Sequence, residues 1–225
     1  MKELLTEYDK AKIEKVVKAA EAGTTGEIVP FIARSSSDYK ATKILSVNII
    51  SMVLATTITI GMGILGFFSQ WGPVNLSFMD FLPGLFMYLI LFMTFYVIAY
   101  PLSSYFPTLY RFFLSKKQLK EEIKESAITA FYVNELNKTK QQNGVIIYVS
   151  VFEKMVWVLG DSGIHSLAGE SAFQKIADTL GSNIKNGDLC DAICTAVTET
   201  GDLLAVHYPP SKTDTNELPN LVVEK

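Results

Sequence analysis

Few residues in this chain have the type and spacing for chemistry. The run Gly160-Asp161-Ser162-Gly163 has the make-up of a segment that presents a nucleophilic serine. A triad also needs a histidine base, which lies upstream in proteases that use such a run. His165 and His207 both lie downstream, which argues against a protease. Phosphate-ester hydrolysis needs an activated nucleophile or a metal cluster of carboxylates and histidines. Neither Cys-x5-Arg nor Asp-x-Asp-x-Thr occurs, so the chain leans away from catalysis. Cys190 and Cys194 are four apart and point the same way on a helix. A zinc site would need two further ligands, and His207 is the one obvious donor, so the two read as reduced core thiols. Glu27, Asn143 and Asp161 remain as hard oxygen donors that calcium or another divalent cation accepts, if the fold gathers them. Against that, calcium takes at least about six oxygens, so ordinary strand-end polar roles compete.

The elements that must position these residues are arranged around Ile44–Tyr110. Between Lys43 and Arg111 the only charge is Asp80, flanked by apolar runs over Ile44–Phe68 and Phe81–Phe106. Each run is about 25 residues, or about 37 Å as a helix, against about 30 Å of hydrocarbon in a bilayer. Two such helices predict a transmembrane hairpin. The remaining residues, 1–43 and 111–225, amount to roughly 160, enough for one domain of ordinary size. The first piece cannot close a core alone, so one discontinuous domain is expected, with a polar, loosely held tail over 211–225. Arg34, Lys40 and Lys43 precede the first span, and Arg111, Lys116, Lys117 and Lys120 follow the second. The intervening loop, Ser69 to Asp80, has no Lys or Arg, so the positive-inside rule puts both termini in the cytoplasm. In a bacterium the membrane would be the inner one. Trp71, Tyr105 and Tyr110 sit where interfacial aromatics belong. The N-terminus has no apolar signal-peptide core. A net charge of −3 argues against a nucleic-acid partner.

In chain order, Thr6–Ala22 reads as an amphipathic helix opened by a Thr6/Asp9 capping box, and Glu27–Ala33 as a strand. Pro30 places that strand at an edge or bulge. Ser51, Ala55, Thr59 and Gly63 form a small-residue stripe, fit to pack within the hairpin or against a second copy of the chain. Neither span carries an ionisable residue apart from tyrosines, which disfavours transport. Ser115–Asn137 reads as a helix, Gly144–Val151 and Met155–Leu159 as strands joined by a tight turn, and Gly160–Gly163 as a turn. Two helices follow, the first closed by Gly187 and the second stopped by Pro209-Pro210. This order indicates an α/β fold, a small mixed sheet flanked by helices as a sandwich. With Glu27's strand parallel to Gly144's and Met155's antiparallel to it, Glu27, Asn143 and Asp161 should gather at one sheet end, away from Arg34 and the membrane and exposed to cytoplasmic partners. Asp188 should lie at the other end.

Several runs together resemble the TPM domain. They are Thr25-Gly26-Glu27-Ile28-Val29, Asn143 to Ser150 with Lys154–Gly160, Asp161-Ser162-Gly163-Ile164, Asn186-Gly187-Asp188 and Asn216-Glu217-Leu218-Pro219. The arrangement is similar to bacterial membrane proteins of that family with an inserted hairpin, over essentially the full chain. The resemblance implies an α/β sandwich. It also implies activities described for some members: acid phosphatase activity, calcium binding, and roles in photosystem repair or as receptor accessories. The expected function is a membrane-anchored binding or accessory module with a protein partner, in the maintenance of membrane proteins. The alternatives are a phosphate-ester hydrolase and an oligomeric transport component.

Overall fold

The computed structural model describes residues 4–69, 78–186, 188–211 and 216–224. The chain divides into two compact units, Met1–Asp38 with Lys117–Lys225, and Tyr39–Lys116.

The first unit is a mixed α/β layer structure. Its sheet has the order β3-β2-β1-β4, with β1 over Glu27–Ala33, β2 over Gly144–Ser150, β3 over Met155–Gly160 and β4 over Val222–Val223. β1 runs parallel to β2 in the register Glu27↔Gly144, and β2 antiparallel to β3 in the register Val145↔Gly160. Every residue of β1 and β2 is buried, as expected for strands covered on both faces, whereas β3 alternates between buried and half-buried.

One face carries Ile28, Ile32, Val145, Ile147 and Val158. It packs on α1 (Glu7–Glu21), α6 (Ser162–Ala168), α7 (Glu170–Asn186) and α8 (Leu189–His207). The opposite face carries Val29, Phe31, Ile146 and Tyr148 and packs on Ile123, Ala127, Ala130 and Phe131. Those four belong to the helix Lys116–Val133, which is α5 in chain order. The α1 capping box forms as expected: Asp9 N–H donates to Thr6 Oγ1 at 3.2 Å, and Thr6 N–H to Asp9 Oδ2 at 2.9 Å. The hydrogen bonds from Thr6 hold the Asp9 carboxyl below its ordinary value.

Pro30 is accommodated simply. Ile28 N–H and Ile32 C=O face away from β2, toward the β4 side, so the missing N–H of Pro30 falls on that side too. β4 pairs only from Phe31 onward, so no ladder bond is lost.

In the second unit, α2 (Lys40–Ser69) packs along α3 (Phe78–Tyr105), and the short α4 covers Thr108–Arg111. Within these, Lys40–Leu65 and Leu82–Tyr105 are long and apolar enough to cross a membrane. Their apolar side chains face outward: Leu65 is 72% exposed and Ile90 65%. Four of their polar side chains turn back on the helix, whereas Ser51 Oγ and Thr59 Oγ1 are buried without a hydrogen bond among the described residues. Thr56, Thr57 and Thr94 hydroxyls donate to the carbonyls of Met52, Val53 and Ile90 at 2.7–2.8 Å, and Asn48 Nδ2 to Ile44 O at 2.9 Å. Tyr88, Phe92, Tyr96 and Tyr100, four apart along α3, stack at 6.1–6.4 Å between centroids. Of the small-residue stripe, Ser51 and Ala55 are buried. Gly63 is exposed, with nothing within 4 Å of where a Cβ would sit.

Several expectations change. The helix from residue 115 stops at Val133 rather than Asn137, because Glu135 takes a left-handed backbone (φ 58°) and a 3-10 turn follows at Leu136–Lys138. Asp161-Ser162-Gly163 opens helix α6 instead of forming a free turn. The tail is not loose where described: β4 joins the sheet and Leu218 packs on its second face. Trp71 and Gly187 lie outside the described residues, as does most of the loop between α2 and α3. Asp80 falls in the first turn of α3.

Candidate functional site

The register brings Glu27, Asn143 and Asp161 to one end of the sheet, as the strand directions require. Glu27 N–H donates to Asn143 O at 3.2 Å, and Asp161 N–H to Gly144 O at 2.9 Å. All three residues are buried, at 4%, 3% and 9% exposure, rather than exposed to partners as expected, because the tail at Glu217 and Leu218 packs over this end. Arg34 follows the opposite end of β1. Asp188 takes a separate role, its Oδ1 accepting the Cys190 N–H as the N-cap of α8 at 2.9 Å.

Each polar group at this end has structural work. Glu27 Oε1 accepts the Glu217 N–H at 3.0 Å and so holds the tail. Glu217 itself takes the Lys140 N–H at 3.0 Å and the Lys140 ammonium at 2.8 Å, and these bonds, the side-chain one first, hold its carboxyl below the ordinary value. The Asn143 side-chain amide donates to Thr25 O. Asp161 Oδ1 accepts the Ser162 N–H at 2.6 Å at the start of α6. Tyr208 lies close by. Its hydroxyl is 3.0 Å from where a Cβ on Gly163 would sit, and burial, then the Asp161 charge, raises its pKa.

These donors fit calcium poorly. With strands about 4.8 Å apart, two strand spacings separate the Glu27 and Asp161 backbones by roughly 10 Å. Gly144 lies between them, and a Cβ there would meet the Leu136 carbonyl oxygen at 2.5 Å and Leu218 Cδ1 at 3.5 Å. That midpoint is therefore filled by chain. Among the described residues no three His, Cys, Asp or Glu side chains come together as a metal set. Asp161 Oδ2 is buried without a hydrogen-bond partner among the described residues.

The other end of the sheet holds a group the sequence reading passed over. Glu153, taken as part of a tight turn, is 2% exposed. It accepts the Ser36 N–H at 2.8 Å and the Ser150 hydroxyl. Ser36 O in turn accepts the Ser126 hydroxyl at 2.6 Å. Glu153 thus fixes the segment by which the chain leaves the first unit. A lone Glu between Phe152 and Lys154 gives no sign of burial in the sequence.

A third feature is the exposed edge of β3. Trp157 is half-buried there, with the ammonium groups of Lys120 and Lys124 at 5.9 and 5.8 Å from its ring.

Comparison with known proteins bears on the same elements. The TPM domain model matches residues 112–203, which covers α5, β2, β3, α6, α7 and most of α8. The Thr25–Val29 run lies outside that match. No curated protein matches the chain. Among solved structures, the NMR structure of BA42 protein from the psychrophilic bacterium Bizionia argentinensis sp. nov. is similar, with a TM-score of 0.55 at 18% identity. The alignment covers 100% of this chain and 98% of that one. At that identity the likeness is one of fold. Residues 112–203 are therefore similar to the TPM domain, and they carry two strands and the helices that build the site.

Proposed function

We propose that this chain is a membrane-anchored TPM-domain protein. In this reading α2 and α3 cross the bilayer as a hairpin, and the split α/β unit works in the cytoplasm as a binding or accessory module for membrane proteins. The observation that carries the reading is the outward apolar surface of two helices long enough to span, with Asn48, Thr56, Thr57 and Thr94 bonded back to their own helices. The lysine and arginine bias of the flanks supports cytoplasmic termini. A binding role is favoured over phosphate-ester hydrolysis because the buried carboxylates at both sheet ends hold backbone segments in place. Self-association would use the open Gly63 face of α2.

The test is a cysteine scan in a background where Cys190 and Cys194 are Ala. Cysteines at Asp80 and Lys2 are probed with an impermeant maleimide on intact cells. Labelling at position 80 and protection at position 2 is the expected pattern; the reverse refutes the orientation. Extraction of the chain by alkaline carbonate refutes membrane spanning. Divalent-dependent hydrolysis of a generic phosphomonoester by the purified chain, abolished in Asp161→Asn, would favour the hydrolase instead.

A further inference from the structure

The two edges of the sheet are treated differently. At the β1 edge the chain supplies its own tail, paired as β4 and pinned through Glu217. At the other edge, among the described residues, β3 pairs with β2 alone. We propose that this open edge is a docking groove for an acidic peptide in extended conformation, which joins β3 as a further strand. The proposal rests on the binding role given above and supplies its surface.

The backbone sets the first condition. Asp161 N–H bonds inward to Gly144 O, so by antiparallel alternation the peptide groups of Leu159, Trp157 and Met155 also point inward. Those of Val156, Val158 and Gly160 then face the free edge. Edge strands are ordinarily protected by a proline, a bulge or a charge of their own. β3 reads Met-Val-Trp-Val-Leu-Gly and has no proline or charge, and its pairing with β2 is unbroken.

The walls set the second. α5 and α7 flank the edge from opposite faces and leave two adjoining hollows of about 390 and 270 Å³ that share Trp157, Gln174 and Ala177. On the α7 side the wall is small, with Ala177, Gly181 and Ser182. On the Trp157 side Lys120 and Lys124 stand over the ring, and Lys154 borders the same groove. Among the described residues no carboxylate pairs with any of these three lysines. Among the described residues lining the groove the one acid is Asp178, whose Oδ1 already accepts the Gln174 amide at 2.9 Å. Side chains of an added strand alternate between faces. The occupant that fits has Asp or Glu at every second position, toward the lysines, and small or apolar residues between them, toward α7.

The test uses the full chain in neutral phosphatidylcholine nanodiscs with Trp71→Phe, which leaves Trp157 as the sole tryptophan. The probe is a synthetic hexapeptide alternating Glu and Val. Saturable change in Trp157 emission is expected, weakened about tenfold or more by Lys120→Glu with Lys124→Glu. A peptide N-methylated at alternate amides, in the register that pairs with β3, should bind no better than a Lys/Val control. Both lysines are exposed, so circular dichroism should show the double variant folded. Absent binding, or binding indifferent to N-methylation, overturns the proposal. So does a Trp157 response to phosphatidylglycerol vesicles in place of the peptide, which would make the patch a lipid site. If crosslinking still captures a protein partner in that event, the binding role survives and only this groove falls.

Discussion

The two units use the same residue types in opposite ways. In the α/β unit Ile13, Ile28, Ile147 and Ile193 are fully buried, and exposed apolar residues such as Val206 stand singly on its helices. In the helical unit Leu65, Ile90 and Val97 stand 64–72% exposed, and the apolar residues run round the whole helix. A stripe needs a protein layer to cover it, while a helix apolar on every side needs an apolar solvent. The comparison teaches that the pattern of apolar residues, rather than their number, separates the two environments within one chain.

The largest test of that contrast places charge on the exposed apolar surface. Val53→Arg with Leu54→Arg, both in the described length of α2, should cost roughly 5–7 kcal/mol of insertion free energy and move the chain out of the membrane pellet. Val206→Arg, on the equally exposed surface of α8, should stay within about 0.5 kcal/mol of the parent. Equal effects at the two places would erase the distinction between the units.

Next in size is a cavity. Ile147 is fully buried in the central strand, so Ile147→Ala should lower stability by about 2–5 kcal/mol, read as the thermal midpoint in detergent. Ile90→Ala on the exposed face of α3 should leave that midpoint nearly unchanged.

A smaller effect belongs to the sheet end. Glu27→Ala leaves the Glu217 N–H without its acceptor and should cost about 1–3 kcal/mol. Hydrogen exchange at Val222 and Glu224 should speed up, while exchange in the middle of β2 should not. Uniform acceleration would mean the tail is held by something other than Glu27.

The smallest effect is tied to pH. Burial, then the neighbouring Cys194, pushes the Cys190 thiol up to about 12. In the unfolded chain the thiol titrates near about 8.5. Above that pH the unfolded state gives up a proton that the folded state keeps, so stability is complete below it and declines as pH rises toward the folded value. The thermal midpoint should fall across this alkaline window, and less steeply in Cys190→Ala. A parallel decline in both would assign the loss to other groups.

Much of this was legible because the signals were periodic or local. The Thr6/Asp9 box, the stripe Leu119–Ile123–Ala127 and the strand Glu27–Ala33 each declare themselves within a few residues. The common end of Glu27, Asn143 and Asp161 followed from strand direction alone. What escaped notice depends on distant partners. Val222-Val223 becomes a strand because β1 offers an edge there, and nothing in a polar tail announces it. Glu153 is buried because Ser36, far away in sequence, needs an acceptor. Ser162 begins a helix because Asp161 caps it, a role the Gly-Asp-Ser-Gly run hides. Strand register put Glu27, Asn143 and Asp161 at one end, but register alone could not show Leu136 and Leu218 packed against Gly144 between them.

The parallel pairing of β1 with β2 also sets a timetable for biosynthesis. β1 is made first, and its partner arrives only after the whole helical unit has been translated. At about 5–20 residues per second, the interval between Ala33 and Ser150 is roughly 6–25 s. Throughout it, Glu-Ile-Val-Pro-Phe-Ile-Ala is an apolar segment with no strand to join and a strong tendency to find one on another nascent chain. Pro30 interrupts that run at its centre and denies a stranger one ladder bond. In the finished sheet the missing donor faces a side where β4 does not reach, so the protection during synthesis costs the folded protein nothing in pairing.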